Sequence, residues 1–192
     1  NLNGTDLIIT LFKSGDFRED SGIYFSNGNF TALLSVDSNL LNFGRYPNVD
    51  FYGGSFAGGA SGYPLMFDNY KIDEQIKIAN KQKSFVKSKV IQDLKKIMPN
   101  YYLPYAGFFE EKLSRDILIK KNNKKNTIDD YKKFCIDKNI KLLDINMHDF
   151  FIFNGNILTS TKNLKIPKTQ DLRKEDDLEY YKKEYNNIDE NY

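Results

Sequence analysis

Residues 7–12 read Leu-Ile-Ile-Thr-Leu-Phe between polar neighbours and predict a buried strand. A polar loop over residues 14–22 follows. Residues 23–25 and 30–36 are apolar, and Asn27-Gly28 between them predicts a hairpin, because Asn-Gly favours a tight turn. The second of these strands runs straight into Asp37. Residues 38–48 read as a loop and residues 49–52 as a short strand. From residue 73 to 98 apolar positions recur at Ile76, Ala79, Val86, Val90, Leu94 and Ile97, with Lys and Gln between. That spacing predicts one amphipathic helix. Asp73 and Glu74 suit its first turn, Lys95 and Lys96 its last, and Pro99 ends it.

Residues 101–103 predict a strand, and residues 110–125 are charged and read as partly helical. Thr127 caps a helix reaching residue 138, with Asp130 three residues on in the manner of a capping box. Residues 141–145 form a strand, and residues 150–159, with Asn154-Gly155 between two apolar stretches, a second hairpin. Strands alternating with helices predict an α/β (α+β) chain, a sheet covered by helices on one face. Residues 1–160 make one domain. Residues 161–192 are polar and charged, and read as an arm docked on a partner or mobile.

Composition narrows the function classes. Of the 192 residues 40 % are hydrophobic and 15 % aromatic, which fits a globular chain and not a disordered one. The 28 basic and 26 acidic residues are mixed along the sequence, so the net charge of +2 implies no nucleic-acid patch. No apolar run approaches the roughly 20 residues of a membrane span, and the polar residues 1–6 carry no secretory signal pattern. The single cysteine, Cys135, excludes an internal disulfide and suits a reducing, cytoplasmic setting. The single histidine, His148, excludes a site built on several imidazoles from this chain alone. A Ser-His-Asp triad has no support, since no nucleophile elbow is present. His148 reads as a loop residue and Cys135 as a helix-face packing residue. The first residue is Asn, so the sequence reads as processed or as part of something longer.

Residues 55–67 carry three of the 12 glycines, Gly58, Gly59 and Gly62, where backbone comes close to something. Ser55, Ser61 and the glycines between them can present backbone N–H groups to a phosphate or carboxylate. Asp37, at the end of a strand, can leave the sheet and meet a ligand, or cap its own turn.

Four ordered motifs carry a resemblance: Val36-Asp37 after the first hairpin, Phe56-Ala57-Gly58-Gly59-Ala60-Ser61-Gly62-Tyr63-Pro64, Leu103-Pro104-Tyr105-Ala106-Gly107-Phe108-Phe109, and Ile119-Lys120-Lys121-Asn122-Asn123-Lys124-Lys125-Asn126. They resemble the metallo-β-lactamase-like domain of the CMP-N-acetylneuraminate hydroxylase family, over residues 22–158. The resemblance implies the C-terminal half of an αββα sandwich, with Asp37 on a mononuclear iron at the sheet edge. It also implies an anionic sugar nucleotide bound by Arg45, Ser55, Gly58, Gly59, Ser61, Tyr105, Lys120 and Asn123, with Arg18 and Lys125 as further cations. Electrons would come from a Rieske iron–sulfur centre outside this chain, since such a centre needs two Cys and two His. The His-rich signature of the fold's first half is missing too, so the remaining ligands would lie on a missing N-terminal half or on another protein chain. Ala106 stands near where many members of the wider fold carry a further metal-binding histidine, so a two-metal site is not expected. Two alternatives stay open: a hydrolase using metal-activated water on zinc or manganese, and a degenerate, non-catalytic subunit of a larger assembly. Each of the three implies that something covers the open sheet face of a half-sandwich.

Overall fold

The computed structural model describes residues 6–17, 19–58, 62–67, 69–106, 117–123, 125–144 and 149–163. Gly59, Ser61, His148, residues 107–109 and the arm from residue 164 onward lie outside the described residues. The expected α/β class is observed. Six strands form one sheet in sequence order: β1 (Ile8–Lys13), β2 (Ser21–Ser26), β3 (Thr31–Val36), β4 (Phe51–Gly54), β5 (Tyr101–Pro104) and β6 (Lys141–Leu142). The first three strands are antiparallel, and β3 to β6 run parallel. Between β4 and β5 lies α2 (Ile72–Ile97), and between β5 and β6 lie α3 (Ile117–Asn122) and α4 (Asp129–Asp137). A short turn, α1 (Leu41–Gly44), interrupts the loop after β3. The hairpin of β7 (Asp149–Asn154) and β8 (Ile157–Asn163) stands apart as a second sheet.

The two faces of the large sheet are covered differently. Val90, Leu94 and Ile97 recur every three or four residues along α2 and pack with Leu33, Tyr52 and Tyr102 of the strands. Tyr131 and Cys135 of α4 complete that layer. On the other face Phe153 of β7 meets Phe30 at 4.5 Å, Tyr101 at 5.2 Å and Phe51 at 5.9 Å between ring centroids. The backbone N–H of Leu158 donates to the Tyr101 hydroxyl at 3.0 Å, which fixes the hairpin to the sheet.

The carboxylate of Asp50 sets the register where β3, β4 and β5 begin. Its Oδ2 accepts from the N–H and the hydroxyl of Thr31, each at 2.9 Å, and its Oδ1 accepts from Asn100 Nδ2 at 3.0 Å. The N–H of Tyr101 donates to the Asp50 carbonyl at 2.9 Å. Three parallel strands are thus levelled at their amino ends.

Several local expectations are refined. Asn27 closes a four-residue loop, since Ser26 pairs with Thr31, and its Oδ1 accepts from the N–H of Phe30 at 2.8 Å. In the second hairpin Asn154 pairs with Ile157, so the turn residues are Gly155 and Asn156. The loop over residues 38–48 contains α1, whose Asn42 and Phe43 adopt left-handed backbone. Asp130 does accept the Thr127 N–H, at 2.9 Å, but the Thr127 hydroxyl also donates to Asp130, at 3.3 Å, so α4 has no side-chain cap and Thr127 does not cap it as expected.

The largest correction concerns β1. Its apolar run predicts burial, yet the strand lies at the sheet edge. Ile8, Ile9 and Leu11 are 60, 54 and 66 % exposed. Ile9 and Leu11 pair with Phe25 and Ile23 and share their face. Phe25 and the β7–β8 hairpin both pack against the cluster of Ala32, Phe51 and Leu143, which Ile9 and Leu11 do not join.

Two outcomes follow from these contacts. Asp50→Ala should lower stability by about 2–3 kcal/mol, since it strips a charged acceptor from three donors; chemical denaturation reads the loss. The Thr127 N–H first, and then the Lys87 ammonium at 3.0 Å, hold the Asp130 carboxyl below its ordinary 3.8. A depressed folded pKa contributes stability above the unfolded value, and that contribution is lost as pH falls through the folded one. The stability gap between wild type and Asp130→Asn should therefore be full at neutral pH and close below about pH 4.

Candidate functional site

In an open sheet of parallel strands, ligands meet the carboxyl ends, where loops diverge. Here that edge collects Asp37 after β3, Ser55 after β4 and Tyr105 after β5. After an irregularity between Leu34 and Val36 in β3, Val36 pairs with Gly54 and Gly54 with Pro104, so the three residues leave one rim side by side. Asp37 is exposed there and Ser55 and Tyr105 are half-buried. The Tyr105 N–H donates to the Gly54 carbonyl at 3.1 Å, which carries the pairing one residue past the strand.

The loops flanking Asp37 are stitched together. Ser14, buried after β1, donates its hydroxyl to the Asn39 carbonyl at 2.8 Å and accepts the Asn39 N–H at 3.0 Å. Asn39 Nδ2 donates to Asp16 at 2.9 Å. A Cβ on Gly15 would stand 2.7 Å from the Leu40 carbonyl, so the close approach of the two loops requires glycine. Beyond α1 the exposed Arg45 follows, and its neighbour Tyr46 anchors the segment. The Tyr46 hydroxyl donates to the buried Asp93 of α2 at 3.0 Å, and Lys89 Nζ meets the other oxygen at 3.1 Å. Burial first, then the Asp93 charge, pushes the Tyr46 hydroxyl far above its usual range and keeps it a donor.

The glycine-rich segment is held from the helix layer. The Phe56 carbonyl accepts from the Tyr131 hydroxyl at 2.7 Å and from Asn126 Nδ2 at 3.3 Å. Asn126 Nδ2 also reaches the Lys83 carbonyl at 3.1 Å, and the Asn126 N–H reaches that of Ala57 at 3.4 Å. Asn126 is only 3 % exposed, so it is a clamp between loop and helix and not a ligand contact. Gly58 adopts φ +67, and a Cβ there would meet Val86 of α2 at 3.0 Å. Beside it Gln82, Lys83, Asn123 and Lys125 line a shallow polar cleft of about 20 Å³. That is room for about one water, far below the roughly 300–1,000 Å³ of pockets that engulf a small molecule. The cleft can touch the edge of a ligand but not enclose one.

The sequence-derived residues therefore fall into two groups. Asp37, Ser55 and Tyr105 share the strand rim. Gly58 and Asn123 share the cleft, with Lys120 exposed on α3 just before Asn123. Arg45 follows the stitched loops, while Gly59 and Ser61 lie outside the described residues. Asn126, Tyr46 and Asp50 were not singled out by sequence reasoning. Asn126 at least ends one of the quoted motifs, a signal that the motif positions a loop. Cys135 is buried, which pushes its thiol up to about 11 and leaves it unreactive at neutral pH.

Comparison with known proteins gives one consistent answer. The chain is similar to proteins called cytidine monophosphate-N-acetylneuraminic acid hydroxylase. It is 40 % identical to that of Danio rerio over 99 residues, 50 % of this chain and 17 % of the relative. It is 38 % identical to that of Xenopus laevis over 100 residues, 49 % of this chain and 16 % of the relative. For Mus musculus the identity is 37 % over 100 residues, 49 % of this chain and 17 % of the relative. The matches thus span about one-sixth of these relatives' length. No family model matches the chain. No solved structure matches it.

Asn126→Leu should loosen the glycine-rich segment at a cost of about 1–3 kcal/mol, since it removes two hydrogen bonds of a buried side chain while Tyr131 still serves the Phe56 carbonyl. Faster amide exchange at Ala57 and Gly58, with α4 still formed, is the expected reading.

Proposed function

We propose that this chain is part of a hydroxylase acting on the N-acetyl group of a CMP-linked sialic acid, and that the rim of β3 to β5 receives that substrate. The observation that carries the reading is the similarity over half the chain to relatives whose name states this activity. The chemistry of the rim agrees with it. A nucleotide-linked sialic acid presents a phosphate and a carboxylate. Arg45, Lys83 and Lys125 supply cations, the two lysines beside the shallow cleft at Gly58. Ser55 offers a hydroxyl for the sugar's own polar groups, with Gly59, Ser61, Tyr105, Lys120 and Asn123 as further contacts in this reading; the Tyr105 hydroxyl itself is buried, so that contact is through its ring or backbone.

The expected metal is a separate question. Asp37, exposed at the rim, can give one carboxylate oxygen to iron, or to zinc in a hydrolase. Among the described residues no three His, Cys, Asp or Glu side chains group so as to hold a metal ion. The donor set of the described residues therefore does not fit a mononuclear iron by itself, and no reaction step is derived through one. In this reading the other ligands, and a Rieske centre, sit on further polypeptide that completes the αββα sandwich. Among the described residues no helix is long and apolar enough to cross a membrane.

A second reading, a non-catalytic subunit of a larger assembly, is favoured by one observation, the exposed apolar side chains of β1.

Isothermal titration separates the two. The hydroxylase reading expects CMP-N-acetylneuraminate to bind the chain, and Arg45→Ala to weaken binding about tenfold, or 1.4 kcal/mol. Asp37→Ala should leave nucleotide-sugar binding in place while removing iron from the native assembly. No heat with the nucleotide sugar, and no iron in native material, would overturn the reading.

A further inference from the structure

Strand β1 is an edge without the usual protection. One side pairs with β2, and no strand pairs the other side among the described residues. Natural edge strands are blunted by charge, proline or a bulge. Here Ile8-Ile9-Thr10-Leu11-Phe12 carries no charge and no proline, and its register with β2 runs unbroken from Ile8 to Lys13. Apolar side chains are exposed on both of its faces: Ile9 and Leu11 on the hairpin side, Ile8 on the helix side. A strand apolar on both faces is the pattern of a sheet interior.

We infer that β1 pairs antiparallel with β1 of a second copy of this chain, about a two-fold axis through Thr10, joining two six-stranded sheets into one. The reason for choosing a second copy is that the strand is complementary to itself. An axis normal to the sheet keeps each face on its own side. Centred on Thr10, it sets Ile9 opposite the copy's Leu11 and Leu11 opposite the copy's Ile9. On the other face it sets Ile8 opposite Phe12, a β-branched residue against an aromatic ring, and at the centre Thr10 opposite Thr10. Both kinds of pair are favourable across strands. Moving the centre to Ile9 would set Phe12 opposite Asp6, which is worse. Lys13 falls opposite Leu7 in the Thr10-centred register, so the two copies' lysines do not meet. Backbone hydrogen bonds along the joined edge supply the affinity, as in other strand additions.

Sedimentation velocity over a concentration series tests this on the whole 192-residue chain. The wild type should sediment at twice the 22.4 kDa chain mass. The double variant Ile9→Lys/Leu11→Lys sets like charges directly opposite one another and should weaken the dimer about tenfold or more. Both side chains are exposed, so the variant should keep its circular dichroism and melting temperature. The variant Ile9→Lys/Leu11→Glu sets opposite charges across the same register and should restore the dimer. A wild type at single-chain mass throughout, a folded double-lysine variant that stays dimeric, or a lysine–glutamate variant no better than the double-lysine one would each overturn the inference.

Discussion

Asp50 stands one residue before β4, and both of its carboxylate oxygens serve neighbouring strands: Thr31 on one side, Asn100 on the other. Parallel strands are joined by long crossovers, so no tight turn fixes their register, and a one-residue slip would turn every side chain to the wrong face. A charged acceptor with donors from both neighbours supplies that constraint. Everything at the opposite rim inherits it. Asp37, Ser55 and Tyr105 emerge side by side because their strands start level and an irregularity between Leu34 and Val36 absorbs the one extra residue of β3. The tilt of the helix layer follows as well, since Val90, Leu94 and Ile97 must meet Tyr52 and Tyr102 in a fixed order.

The sequence showed what is local and repetitive. The long α2 was legible from its apolar period, and both hairpins from Asn and Gly between apolar runs, although the first turn is a four-residue loop and the second is shifted by a position. What it hid was long-range. Asp50 and Thr31 are 19 residues apart, Tyr46 and Asp93 are 47 apart, and Asn126 reaches back 70 residues to Phe56. Such bonds leave no periodic trace. The placing of β1 was missed for a related reason. Its residues suit an interior strand, and nothing within the strand states how many neighbours it will have. Of the candidate site, the strand ends were readable because an apolar run that stops at an aspartate marks a rim. The clamp on the glycine-rich segment was not, because a buried asparagine in a lysine-rich stretch looks like any other polar residue.

The core of the helix side is built on tyrosine where most domains use leucine. Tyr52 stacks on Tyr102 at 5.7 Å, and Tyr131 meets Tyr102 edge-on at 6.2 Å. Such rings bury much apolar area but bring a hydroxyl that needs a partner. Tyr52 shares a hydrogen bond of 2.9 Å with Ser35, and Tyr131 gives its hydroxyl to the Phe56 carbonyl. Burial raises all three hydroxyls well beyond their ordinary range, so they stay protonated. The buried Tyr102 hydroxyl has no hydrogen-bond partner among the described residues, so it is Tyr131 that ties the aromatic interior to the glycine-rich segment.

That Tyr131–Phe56 bond spans 75 positions of sequence. A guest settling against the glycine-rich segment could not nudge the Phe56 carbonyl without tugging a phenol rooted in α4. Occupancy at the rim would thereby be broadcast to the outer helices as a change in how tightly they sit. A spectroscopic label on α4, well away from any guest, would sense arrivals and departures through this tether.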